Sequence, residues 1–170
     1  MKEIAKCSGY YFLILQLHVF ASLLVRLLLE FFLAFFVKNI ILFLTIEMIV
    51  GLVTELLLCA FFINHQIGKR TSPKEVLLPL FIALALRFLL ALITKFYVFT
   101  AGVPANTAVR IWETVVRGEL VDMADIAFWK RIVTFIPMQA LLFAVAYISC
   151  RKKMRMTKNH KTASAIDNKD

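Results

Sequence analysis

Glu47, Gly51 and Glu55 recur every four residues inside a run that is apolar from Ile40 to Ile63. On a helix this spacing sets two carboxylates near one face, with the glycine between them. A charged side chain at the centre of a membrane helix costs roughly 2.5–3.5 kcal/mol on insertion scales, so each acid calls for a partner. The flanking apolar runs hold the candidates. His18, Ser22, Arg26 and Glu30, again in steps of four, come before; Arg87 and Lys95 come after. Two chemistries fit such a set. Buried ion pairs fix the register of helices against one another. Ionisable groups inside a membrane also mark proton or substrate paths, and a histidine beside a carboxylate can titrate near neutral pH. A third, an intramembrane enzyme with Glu47 or Glu55 as general base, needs substrate access and a shifted pKa, and the sequence supplies neither.

The positions carry more information than the count. In sequential antiparallel helices, residue numbers rise on one as they fall on the other. One register of the second and third runs pairs Glu55 with Arg87, Gly51 with Ala91 and Glu47 with Lys95. One register of the first and second pairs His18 with Glu55, Ser22 with Gly51 and Arg26 with Glu47. The implied polar core has three layers about 6 Å apart, with small residues between the charged ones and Glu30 a turn further out. Lys95 has the alternative of snorkelling outward.

The elements that must position these residues are membrane helices. A 170-residue chain that is 61% hydrophobic with a net charge of +9 reads as a polytopic membrane protein rather than a soluble domain. The expected fold is an all-α four-transmembrane-helix bundle, with spans at about 9–37, 40–63, 76–100 and 132–150 and one domain over 1–150. The first run is too long for a signal peptide and has no small-residue cleavage site. Between spans three and four, residues 101–131 are expected to form short amphipathic helices: Val109, Trp112, Val115 and Val116 recur at helical spacing, Gly118 ends that piece, and 119–130 forms a second. Trp112 and Trp129, the only tryptophans, read as anchors at the membrane–water interface. Residues 151–170 form a basic tail expected to be disordered, whose Arg151, Lys152, Lys153 and Arg155 suit lipid headgroups.

Lysine and arginine set the orientation. Lys69, Arg70 and Lys74 lie in one connection and seven cations follow Cys150, whereas the cations of 105–131 are balanced by acids. The positive-inside rule then places both termini in the cytoplasm of a multi-pass inner-membrane protein. Cys7, Cys59 and Cys150 fall at corresponding ends of three spans and read as reduced packing residues. No glycine-rich phosphate loop, HExxH, CxxC or GxSxG occurs, so no catalytic residue, cofactor or metal ligand is assigned. The acids of 113–125 lack EF-hand spacing. The expected partners are the bilayer and either another membrane protein or a second copy. Nucleic acid is not among them, because the positive charge is confined to a few sites.

The second and third spans, read as Thr54-Glu55 through Asn64-His65 and then Lys74-Glu75 through Arg87, resemble the phosphate-starvation-inducible membrane protein E family. The likeness lies in Glu55, His65, Glu75 and Arg87 and covers about a quarter of the chain; the long 101–130 segment departs from it. It implies a bacterial inner-membrane protein and little more. With no catalytic motif, and with the amphipathic segment and basic tail as contact surfaces, the expected role is stress-linked regulatory or assembly work, the alternative a small proton-coupled transporter or channel subunit.

Overall fold

A computed structural model describes residues 2–67, 72–96 and 103–167. They form α1 (Lys2–Phe36), α2 (Ile40–Ile67), α3 (Pro73–Ile93), α4 (Val103–Arg117), a 3-10 turn (Met123–Asp125) and α5 (Phe128–Asp167), with no strand among them. α1, α2, α3 and α5 as far as Met156 are each long and apolar enough to cross a membrane. The architecture is therefore the all-α, four-span bundle expected from the sequence, and the chain is a multi-pass helical membrane protein. Its outward faces agree: Leu24 is 67% exposed, Ile93 79% and Phe36 82%, a surface that water would not tolerate over this extent.

Local chemistry sets most helix boundaries. Asn39 starts α2, its side-chain oxygen accepting from the amides of Ile41 at 3.0 Å and Leu42 at 3.2 Å. Ser72 starts α3 in the same way, accepting from the Lys74 amide at 3.3 Å, with Pro73 at the first helical position. α4 ends at Gly118, which takes a positive φ of 73° and donates to the Thr114 carbonyl at 2.8 Å.

Several features differ from the sequence expectation. α3 stops at Ile93 rather than running on towards residue 100; residues 97–100 lie outside the described residues. The stop is a left-handed turn without glycine. Lys95 and Phe96 take φ of 53° and 59°, the Phe96 amide donates to Ala91 at 2.7 Å, and the Lys95 amide donates to Leu92 at 3.1 Å. Phe96 is thereby swung into the core, against Phe88, Phe128 and Phe135. The second amphipathic helix expected over 119–130 is absent: a single 3-10 turn occupies its middle, and α5 begins at Phe128. The Asp122 side chain makes no capping bond there. The tail expected to be disordered is instead helical, since α5 continues through Asp167 with no glycine or proline after Pro137 to end it. Finally, α4 does not lie apart from the bundle. Its principal neighbour is α2, and its polar residues Asn106, Thr107, Glu113 and Thr114 are all buried.

The helices alternate in direction. At the end of the bundle that carries Lys74 and Arg151, here called the basic end, Cys7, Tyr11, Cys59, Leu80 and Cys150 share one apolar cluster drawn from α1, α2, α3 and α5. All three cysteines are buried and belong to it. Towards the other end, here called the α4 end, a smaller cluster joins Ala91, Phe96, Ala105 and Phe135. α1 leans on α3 more than on α2, which leaves a gap between α1 and α2 beside the charged residues.

Candidate functional site

The buried charges gather in two nodes. In the first, α2 presents Glu55 and α3 presents Arg87 in the register expected from the sequence, and the two form an ion pair between Nη1 and Oε1. Gln139 of α5 also accepts from Nη1, at 3.3 Å. His18 of α1 completes the node and interacts electrostatically with both Glu55 and Arg87. One polar group from each long helix thus meets at one level. Glu55 is 2% exposed and Arg87 0%. Among the described residues, Arg87 Nε and Nη2 and His18 Nε2 meet no hydrogen-bond partner. A buried donor left so costs about 1–3 kcal/mol.

The second node lies towards the α4 end. Arg26 of α1 pairs with Glu47 of α2, again in the expected register, and with Glu30 one turn along α1 at 2.9 Å. Arg110 of α4 interacts electrostatically with Glu47, Glu30 and Asp122. Burial and the neighbouring Arg26 hold its guanidinium below the ordinary value, and those three acids act in the opposite direction. Arg110 therefore supplies the second cation that the sequence reading assigned to Lys95. Lys95 is exposed, and its backbone turns out of α3 before it reaches Glu47.

Gly51 separates the two nodes along α2. The small residue expected against it was Ala91; the one found is Pro104, in the first turn of α4. A Cβ on Gly51 would stand 3.2 Å from Pro104 Cγ, tighter than an ordinary contact, so the absence of a side chain lets α4 pack closely against α2. Ser22, expected beside Gly51, donates to the Val19 carbonyl at 2.9 Å. Ser22 and Gly51 both line a cavity of about 260 Å³ between α1 and α2, together with His18, Arg26, Glu47 and Thr54. Neither Glu55 nor Arg87 lines it.

Two further constellations use residues to which the sequence reading gave no partner. Arg131 of α5 donates to the Lys95 carbonyl at 2.9 Å and to the Met123 carbonyl, tying the end of α3 to the segment after α4. Glu113 pairs with Lys130 and, at 3.3 Å, with Arg117. The Lys130 ammonium lies 5.4 Å and 5.5 Å from the ring centroids of Trp112 and Trp129, which meet edge to face at 5.8 Å. The two tryptophans expected as separate anchors are thus one cluster. Arg131 and Lys130 read in sequence only as charges beside a span; that they turn inward depends on the end of α3, which no local pattern announces. Gln139 was visible as a polar residue in the last span, and its partner proves to be Arg87. At the basic end Arg151, Lys152, Lys153 and Arg155 are all exposed, and Lys153 donates to Asn64 of α2 at 2.8 Å. Among the described residues no group of three His, Cys, Asp or Glu side chains is arranged to hold a metal ion.

No protein-family model matches this chain, and no curated protein or solved structure resembles it at a significant level.

Proposed function

We propose that this is a non-enzymatic inner-membrane protein of regulatory or assembly type, whose charged residues hold four helices in register so that the outer faces are presented to a partner. The observation that carries this reading is the seclusion of the Glu55–Arg87 pair. A carboxylate that moves protons or acts as general base must meet water or substrate. Glu55 is 2% exposed, faces a fully covered guanidinium and lines no part of the α1/α2 cavity. Orientation with both termini in the cytoplasm is part of the proposal and is supported by the cations of 64–75 and of the segment after Cys150. Kinship with the phosphate-starvation-inducible membrane protein E family, and with it a link to stress, is proposed on the sequence likeness at Glu55, His65, Glu75 and Arg87 alone. Of these, His65 and Glu75 are both exposed at the basic end.

Glu55→Gln tests the reading. The expected outcome is reduced abundance in the membrane, with no change in any ion flux across proteoliposomes containing purified protein. A variant that accumulates and folds like the parent yet abolishes a pH-dependent flux would overturn it.

One observation favours the second reading, a small proton-coupled carrier or channel subunit. His18 lines the cavity and also interacts with Glu55, so it bridges an open space and the closed node. Four spans are few for a monomeric carrier, and this reading implies an oligomer. Absence of flux over several pH values and a broad panel of ions and metabolites would remove it.

A further inference from the structure

Two cavities lie end to end in the groove between α3 and α5. The first, about 650 Å³, has Lys74 and Arg151 at its rim and Leu77, Leu78, Phe81 and Phe143 below them. The second, about 420 Å³, continues from the same Phe81 and Phe143 and ends at Phe88, Phe135 and Gln139. Phe81 and Phe143 meet edge to face at 5.9 Å where the two join. The result is a single apolar trough that is cationic at one end only. Lys152 and Arg155 extend the cationic end along α5 on the face that shares Tyr147 and Arg151 with the trough. No carboxylate among the described residues lines it; Glu75 follows Lys74 in sequence but is not on the lining.

The length of the trough is informative. From Lys74 to Phe88 is about 21 Å along α3 at 1.5 Å per residue. That is close to half of a bilayer measured with its headgroups, roughly 40–45 Å in full. A groove one leaflet deep, cationic where headgroups lie and apolar where acyl chains lie, complements an amphiphile with an anionic head. Basic pockets between transmembrane helices are a known physical basis for selecting anionic headgroups. Lys153, part of the same basic run, donates to Asn64 and lines none of these cavities.

We infer that the α3/α5 groove holds one anionic phospholipid, its phosphate between Lys74 and Arg151 and its chains in the trough down to Gln139. Gln139 also accepts from Arg87, so the deep end of the lipid site adjoins the central charged node. This site requires only that the chain lies in a bilayer. It does not depend on the chain's orientation or on the role proposed above.

Native mass spectrometry of the full-length protein tests it, after exposure to mixed micelles of phosphatidylglycerol and phosphatidylcholine with identical chains. The expected result is one retained phosphatidylglycerol per chain, in excess over phosphatidylcholine. Each cation near a headgroup is worth about a fivefold preference. Lys74→Ala and Arg151→Ala are each expected to lower the excess by about that factor, while Lys153→Ala leaves it unchanged. Ala140→Trp, which fills the trough without altering charge, is expected to reduce retention of both lipids. Equal retention of the two lipids by the parent protein would overturn the inference. So would displacement of the bound lipid by millimolar inorganic phosphate, which would mark a simple anion site, or a dimer mass with no bound lipid, which would mark the groove as a contact between copies. Should the alanine variants fail to fold, the parent's lipid ratio and the Ala140→Trp result still decide the matter.

Discussion

Arg87 exposes none of its surface, and its charge is met by one carboxylate and one amide oxygen. The energetics of such a site are asymmetric. Removing one member of a buried pair leaves the other charge uncompensated and typically costs 3–5 kcal/mol, whereas replacing both by apolar residues of similar volume is often close to neutral. Arg87→Leu is therefore expected to lower the thermal stability of the purified protein sharply, and Glu55→Leu combined with Arg87→Leu to recover most of the loss. A double variant no more stable than the single one would show that Arg87 is held by more than Glu55. This pair was legible in the sequence, as was Arg26 with Glu47, because regular helices carry a register from one pair to the next. The same logic failed for Lys95. It required α3 to stay helical beyond Thr94, and the chain turns away just there. Arg110 fills the vacated role from a helix whose docking no register argument addressed.

The end of α3 is the element on which the α4 end depends. Two consecutive residues in the left-handed region redirect the chain, bury Phe96 and offer the Lys95 carbonyl to Arg131. Such stops usually contain glycine, because a Cβ is strained at positive φ. With Lys95 and Phe96 there instead, nothing in the local sequence signalled a stop, and the third span was read too long. Lys95 is exposed and contributes its backbone to the contacts at this turn. Lys95→Gly is accordingly expected to stabilise the protein by about 0.5–1 kcal/mol through relief of backbone strain, partly countered by the greater freedom of glycine in the unfolded chain. A raised melting temperature would support this account, and a lowered one would show that the lysine side chain carries weight of its own. α4 was foreseen as a helix from the spacing of Val109, Trp112 and Val116, yet its place was not. An amphipathic pattern reports that one face is apolar, not which surface receives it, and the receiving notch at Gly51 is closed by a residue more than fifty positions away.

At the scale of the molecule, four long apolar helices were legible because membrane spans announce themselves by length and hydropathy alone. Their packing order was not. Helices apolar on all sides carry no stripe to tell a protein-facing surface from a lipid-facing one, so α1 leaning on α3 rather than α2 had no signature. The cysteines gave a partial clue, since Cys7, Cys59 and Cys150 fall at corresponding span ends and do share one buried cluster. That cluster also makes the proposed orientation testable. With all three native cysteines replaced by alanine, one new cysteine can be set at Lys74, exposed at the basic end, or at Glu119, exposed at the α4 end. Both termini in the cytoplasm implies that a membrane-impermeant maleimide added to intact cells labels the Glu119→Cys protein and spares Lys74→Cys, which reacts only after the membrane is opened. The reverse pattern would invert the topology and place the cations of the basic end on the outer side, against the charge bias that motivates the orientation. Labelling of both sites in intact cells would mean that the chain inserts in two directions, which the charge bias does not explain.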